Sequence, residues 1–158
     1  LNREYGAMFR VIIDDVERDP LGGLLSRIYR YTLTAVYERP LARALYLMDR
    51  DGLNTIMRAT HGFAYIPELG VRTGFIDRMK DAGMVRHDVD SDEIAAVISA
   101  VSAGTALTSP HTEQIDRINE GLFTLLTRGV DREVTETSAG KAAFVEYAMS
   151  LAAPHGDE

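Results

Sequence analysis

The stretch that decides the fold is IAAVISAVSAGTALT, residues 94–108, which contains no charged side chain. It follows a mostly acidic segment, HDVDSDE, at residues 87–93. An acidic start and then an uncharged run predict a capped helix buried on most sides, and such a helix lies in a protein core or in a membrane. Fifteen residues interrupted by Ser, Thr and Gly are too short and too polar to cross a bilayer. We therefore predict the central helix of an all-α domain.

The composition narrows the class of protein around this helix. The chain has 158 residues, of which 46% are hydrophobic, and a formal net charge of −7. This length favours a single domain over residues 1–158. Nucleic-acid-binding proteins usually carry a basic surface, so an acidic chain is not expected to bind DNA or an anionic membrane by itself. With no cysteine and no secretory-signal pattern at the start, we expect a cytoplasmic protein without disulfides or thiolate metal sites.

Helical periodicity extends over nearly the whole chain. The Asp-Pro pair at 19–20 and the Arg-Pro pair at 39–40 mark helix boundaries, since Asp is a good N-cap and the residue before Pro disfavours helix. Gly83 is placed just after a helix C-terminus, and Asp90 as the N-cap of the central helix, in D-x-x-E spacing with Glu93. Seven to eight helices and no strand are predicted. The predicted helices cover 3–17, 20–38, 40–49, 53–60, 67–82, 91–108, 111–128 and 139–152, with a loop over 131–138.

Motifs for enzymatic chemistry are absent from the sequence. There is no G-x-G-x-x-G, P-loop, H-E-x-x-H or G-x-S-x-G pattern, and the four His lie far apart. The acidic run at 88–92 resembles the start of a calcium loop, but Glu93 and Ser99 stand where that loop needs Gly and Glu. Helix capping explains these acids better, and the carboxylates at 14–19 are interpreted as a solvated helix end. We therefore predict no catalytic residue, no metal ligand and no cofactor.

Tyr, Phe and Met are concentrated in the first two-thirds of the chain, and most densely between residues 29 and 57. On helices, most of these side chains must belong to the core. Each buried Tyr hydroxyl nevertheless needs a hydrogen-bond partner, and Met adapts to irregular binding surfaces. Small-molecule sites are usually apolar clefts with a few polar groups. The residue types leave two alternatives open, a ligand pocket among the helices or a filled core.

Residues 79–104, MKDAGMVRHDVDSDEIAAVISAVSAG, carry a recurring pattern. An A-G-hydrophobic turn at 82–86 ends one helix, a D-V-D segment at 88–90 follows, and an Ala-rich uncharged helix with a late Gly comes next. In this order of features the chain resembles TetR-family transcriptional regulators. Its start, L-N-R-E leading into the helix at 3–17, is similar to the junction between the family's DNA-binding headpiece and the helix that follows. The resemblance covers essentially the whole chain.

The resemblance implies the fold and function of this family's C-terminal domain. The implied fold is an all-α multi-helix bundle that dimerises through a four-helix bundle. Residues 1–17 would belong to the helix that connects to the headpiece, and 139–152 would be an extra C-terminal helix. The headpiece is not in this sequence, so operator DNA is expected to be contacted only through it. The implied function is a ligand-responsive transcriptional repressor, in which this chain binds a small molecule and forms a homodimer.

In the family, two long helices pair with their copies in the dimer, and here these are 91–108 and 112–128. The first helix has one stripe of large residues and one of small residues, and small residues permit close helix approach. We expect the large stripe to face the chain's own core and the small stripe to face the partner, with the opposite assignment left open. The large stripe comprises Ile94, Val97, Ile98 and Val101. The implied dimer residues are Ala96, Ala100, Ala103, Gly104, Ile118, Leu122, Leu125 and Leu126.

The family's ligand pocket lies between the helices that correspond to 20–38, 40–60, 67–83 and 91–108. The pocket candidates on these helices are Tyr29, Leu33, Tyr37, Tyr46, His61, Tyr65, Phe75, Met79 and Val101. An apolar pocket with Tyr and His donors suits a small apolar or aromatic effector better than a strongly anionic one. For His61, a hinge position or a satisfied polar group is favoured over metal ligation. The rival interpretations are a small all-α enzyme or hydrophobic-ligand carrier with the same pocket, and a purely structural dimerisation module.

Overall fold

The computed structural model describes residues 2–38, 73–108 and 112–152. These residues form six helices: α1 Asn2–Arg18, α2 Leu25–Glu38, α3 Thr73–Asp81, α4 Ser91–Thr108, α5 Thr112–Gly129 and α6 Ser138–Ala152. This part of the chain contains no strand, only an isolated antiparallel bridge between Val85 and Asp131, and the all-α prediction is confirmed. The described residues thus contain six helices, whereas seven to eight were predicted for the whole chain. The two helices predicted over 40–49 and 53–60 lie outside the described residues.

All six helices contribute to one hydrophobic core. α1 packs on α2 and α6, α2 also packs on α5, and α3 packs on α4 and α6. Each apolar side chain buried in such a bundle stabilises it by about 25 cal/mol per Å² removed from water. None of the helices in the described ranges is long and apolar enough to cross a membrane. The side chains of the core that are fully excluded from solvent are Ile12, Val16, Ile76, Met79, Val85 and Ile98.

The connection between α1 and α2 is a turn in a place where helix was predicted. The predicted second helix begins at Pro20, but α2 begins at Leu25, and residues 19–24 form the turn. Asp19 Oδ1 accepts a hydrogen bond from the Leu21 N–H at 2.9 Å. The Asp19 carboxylate therefore closes the turn instead of capping α2, and that local bond is why the helix starts later.

Glycines allow this turn to make backbone contact with its neighbours. A Cβ on Gly22 would lie 2.0 Å from the carbonyl oxygen of Val16. A Cβ on Gly23 would lie 2.1 Å from the carbonyl oxygen of Thr137, and the Gly23 N–H donates to Thr137 Oγ1 at 3.1 Å. From the other side, a Cβ on Gly140 would lie 2.2 Å from the Gly23 carbonyl oxygen. The turn and the start of α6 are thus packed backbone against backbone.

Two helix-end motifs set the path from α3 to α4. Gly83 has a φ of +79°, as expected for the left-handed residue predicted after the end of a helix. The Met84 N–H donates to the Met79 carbonyl oxygen at 2.9 Å, which is the long bond of a Schellman motif. Asp90 Oδ1 accepts the Glu93 N–H at 3.0 Å and confirms the predicted N-cap of α4.

The segments after α3 and after α5 pair with each other at the same end of the bundle as the α1–α2 turn. The Arg86 N–H donates to the Val130 carbonyl oxygen at 2.9 Å, and the Arg132 N–H donates to the Met84 carbonyl oxygen at 2.9 Å. The loop predicted over 131–138 covers 131–137, and α6 begins one residue earlier than predicted, at Ser138. We call this region, residues 19–24, 82–90 and 130–137, the loop end.

Candidate functional site

A buried pair of hydroxyl groups joins α2 to α4. Tyr29 Oη lies 2.6 Å from Ser102 Oγ, in a hydrogen bond for which either hydroxyl can be the donor. Tyr29 and Ser102 are each 7% exposed. Buried hydroxyls cost free energy unless they are hydrogen-bonded, so each hydroxyl of this pair satisfies the other. Tyr29 was predicted for the ligand site, whereas Ser102 was not.

Apolar residues neighbour the hydroxyl pair along both helices. Leu33, one helical turn after Tyr29, is 6% exposed, and Val101 is half-buried against the same core. Among the described residues, Asp131 is the one charged side chain that is buried, and it belongs to the loop end. A region with hydroxyls as its polar groups and aliphatic walls is suited to a neutral apolar or aromatic molecule.

Two other predicted pocket residues pack on the side of the core that faces α6. The ring of Phe75 stacks on Tyr147 with centroids 4.6 Å apart and meets Phe144 edge-on at 6.4 Å. Aromatic pairs at such distances contribute about 0.5–1.5 kcal/mol beyond the burial of their area. Met79 is fully buried in the same core. The ring contacts of Phe75 thus lie with α6, and the sequence prediction missed these two aromatic partners.

α4 has one buried face and one exposed apolar face. Ala95 and Ile98 are 8% and 0% exposed and lie in the core. Ala96 and Ala100, from the predicted small stripe, are exposed. Val97 was predicted to face the core, but it is 55% exposed. The helical period explains this correction. Val97 directly follows Ala96 and precedes Ala100 by three residues, so it lies on the same face as these two alanines.

α5 divides the remaining dimer predictions between core and surface. Leu122 and Leu126 are 5% and 3% exposed, so they are buried in the chain's own core. Ile118 is half-buried, and Leu125 is 70% exposed. Gly121 is exposed one turn before Leu125, with no atom within 4 Å of the place where a Cβ would stand. Leu125 is thus a predicted dimer residue on α5 that is open to a partner, and Gly121 is an exposed small residue beside it.

The side-chain surroundings of several predicted site residues are not described. Tyr37, Ala103 and Gly104 belong to α2 and α4, but their surroundings are not among those described. Tyr46, His61 and Tyr65 fall in the range 39–72, which lies outside the described residues. Their roles in the site stay predictions.

A second polar cluster lies at the surface around Asp19. Tyr31 Oη donates to Asp19 Oδ2 at 2.7 Å, and Arg27 Nη1 donates to the same oxygen at 3.0 Å. Burial raises the pKa of Asp19, but the bonds from Tyr31, Leu21 N–H and Arg27 outweigh burial and leave this pKa below its ordinary value. Burial and the neighbouring Asp19 carboxylate raise the pKa of Tyr31. Because these groups bind one another, the cluster fixes the α1–α2 turn.

In the described ranges, no three His, Asp or Glu side chains lie close enough together to hold a metal ion. Comparison of the chain with protein-family models, with curated proteins and with solved structures gives no match in any of the three.

Proposed function

We propose that this chain is the effector-binding and dimerisation domain of a TetR-like transcriptional repressor that works in the cytoplasm. The observation that carries the proposal is the two-sided character of α4. Its buried face holds Ser102 of the hydroxyl pair, and its opposite face exposes Ala96, Val97 and Ala100 to solvent. A helix with this character can connect a ligand site inside the chain to an interface outside it.

The proposed ligand site lies between α2 and α4, at the hydroxyl pair. Tyr29 and Ser102 would supply the hydrogen bonds, and Leu33 and Val101 part of the apolar wall. The effector that fits these groups is a small apolar or aromatic molecule with one or two neutral polar atoms. A strongly anionic molecule would lack a buried cation, because the buried side chains of the described residues include no Lys or Arg.

The proposed homodimer interface uses the exposed face of α4 together with α5. It comprises Ala96, Val97 and Ala100 of α4 and Gly121 and Leu125 of α5. Small residues let two helices approach closely, and Val97 and Leu125 supply the large apolar contacts. A two-fold dimer is the commonest closed assembly of soluble proteins, and it would remove these apolar side chains from water.

The two sites would be coupled through α4 and through α1. An effector shifts a conformational equilibrium only by its difference in affinity for the two states. In a dimeric helix-turn-helix protein the two reading heads must sit about 34–36 Å apart to meet successive major grooves. Operator DNA would be contacted by a headpiece outside this chain, and a shift of α1 on effector binding would spoil that spacing.

A thermal-shift screen of neutral apolar and aromatic compounds tests the ligand site. A compound at 100 times its Kd is expected to stabilise the chain by about 2.7 kcal/mol. Tyr29→Phe should weaken binding of such a compound about fivefold, the value of one ordinary hydrogen bond. Tyr31→Phe is the matched control. It removes a hydroxyl from the same helix, but that hydroxyl binds Asp19 at the surface.

Two outcomes would count against this site. If no compound raises the melting temperature, the core is filled, as expected for a purely structural dimerisation module. If Tyr29→Phe and Tyr31→Phe weaken binding equally, the compound binds away from the hydroxyl pair. Turnover of a stabilising compound would favour the rival enzyme interpretation.

A further inference from the structure

The loop end contains a buried carboxylate that is not part of the proposed ligand site. Asp131 is 7% exposed and lies just after α5. Ser26, on the first turn of α2, donates its hydroxyl to Asp131 Oδ2 and its N–H to Asp131 Oδ1, the latter at 3.3 Å. The two residues are 105 positions apart in the chain, so Asp131 caps the start of α2 from a distant segment.

The backbone that carries this carboxylate is held on two sides. The Asp131 N–H donates to the Leu126 carbonyl oxygen at 2.8 Å, which ties it to the end of α5. Asp131 also forms the isolated bridge with Val85, which ties it to the segment between α3 and α4. A change in its bond to Ser26 therefore acts on the junction of α2, α5 and that segment, and not on a free loop.

Few positively charged side chains are placed to offset the cost of burying this carboxylate. On α2, Arg27 favours its ionised form, but Arg27 is already paired with Asp19 at 3.0 Å. On the two paired segments, Arg86 and Arg132 are exposed, and Arg86 is paired with Asp88 at 2.7 Å. The carboxylate has hydrogen bonds from α2 but no buried cation beside it among the described residues.

We propose that Asp131 is a proton-dependent clasp, in which proton uptake by its carboxyl group tightens the attachment of α2 to the loop end. Burial raises the pKa of Asp131, and the Ser26 bonds and the Arg27 charge offset only part of that rise. The protonated carboxyl keeps both contacts, because one oxygen accepts the Ser26 N–H while the O–H donates to the Ser26 hydroxyl. Protonation thus removes an unfavourable buried charge, and two hydrogen bonds still join Asp131 to Ser26, one of them reversed in direction.

The direction of the pH effect follows from the raised pKa. At pH values above the pKa that Asp131 has in the folded chain, Asp131 is ionised in both the folded and the unfolded chain. Its burial then lowers the stability of the fold. As the pH falls through that pKa toward the ordinary aspartate value of about 3.9, the folded chain binds a proton that the unfolded chain does not. The stability of the fold rises over this window, so the clasp is tighter at acidic pH.

Asp131→Asn tests the clasp, because its amide is neutral at every pH and can keep both contacts with Ser26. At about pH 7.5 we expect this variant to melt about 2–4 °C above the wild-type chain. The difference should shrink toward zero as the pH approaches about 4. Asp116→Asn, at an exposed position on α5, controls for the removal of one negative charge.

The proposal would be overturned if the melting temperatures of wild type and Asp131→Asn ran parallel as the pH changed. It would also be overturned if the difference between them grew as the pH fell. If the variant does not fold, a carbon-detected NMR titration of the Asp131 carboxyl in the unaltered chain decides the question. A midpoint above about 3.9 supports the clasp, and a midpoint at or below that value overturns it.

Discussion

Replacement of Gly23 by Ala is expected to destabilise the fold by about 3 kcal/mol and to lower Tm by roughly 6–12 °C. A Cβ at this position would lie 2.1 Å from the Thr137 carbonyl oxygen and 2.8 Å from the Lys141 nitrogen. Both are backbone atoms, so neither can turn aside as the end of a flexible side chain could. The α1–α2 turn would have to separate from α6, and the Gly23 N–H would lose its bond to Thr137 Oγ1.

Gly6→Ala is the matched control for this prediction. Gly6 lies inside α1, and a Cβ there has no atom within 4 Å. Ala is favoured over Gly in a helix interior by about 1 kcal/mol, so this variant should be neutral or more stable. Thermal melts at one protein concentration compare the two. If Gly23→Ala melted with the wild-type chain, the turn could not be packed against α6 in the way described.

The second large effect is expected for Ile12→Ala, with a loss of about 2–5 kcal/mol in the free energy of unfolding. Ile12 is 0% exposed on α1, the helix that packs on both α2 and α6. Truncation removes apolar contacts and leaves a cavity that the surrounding helices fill only in part. Urea unfolding measures the loss as a lower midpoint at an unchanged slope.

The neighbouring residue supplies the control for Ile12. Val11 is also β-branched but is 39% exposed on the same helix. Val11→Ala should change the free energy of unfolding by no more than about 0.5 kcal/mol, as is usual at the surface. Equal losses for Ile12→Ala and Val11→Ala would mean that α1 does not bury the face described here.

Features that depend on nearby residues could be predicted from the sequence. The span Ser91–Thr108 of α4 agrees with the prediction of 91–108. Its N-cap at Asp90 and the left-handed Gly83 were also predicted, because a side-chain oxygen or a missing Cβ acts within a few residues.

Features that depend on distant residues could not be predicted in this way. Gly23 lies inside the helix predicted over 20–38, whereas its role is set by the backbone of Thr137, which no local pattern reveals. Leu122 was assigned to the dimer, yet it is buried in the chain's own core. An amphipathic stripe shows that a face is covered, but it does not show which chain covers it.

The candidate ligand site also contains one residue that could be predicted and one that could not. Tyr29 was predicted because the resemblance places the pocket on its helix, and a buried Tyr also needs a partner for its hydroxyl. Ser102 was not predicted, although its spacing of four from Ile98 places it on the buried face. The pairing of Tyr29 with Ser102 depends on how α2 and α4 meet, which is a property of the tertiary structure.

Sedimentation equilibrium tests the proposal that α4 is covered on one face by its own core and on the other by a second copy. The wild-type chain is expected at twice its 17.5 kDa mass. Val97→Glu should give a monomer with unchanged helical circular dichroism, because it places a charge in the proposed interface. Val11→Glu, at an exposed position on α1, should remain a dimer. A wild-type mass of 17.5 kDa at every concentration, or a Val97→Glu variant that stays dimeric, would contradict the proposal.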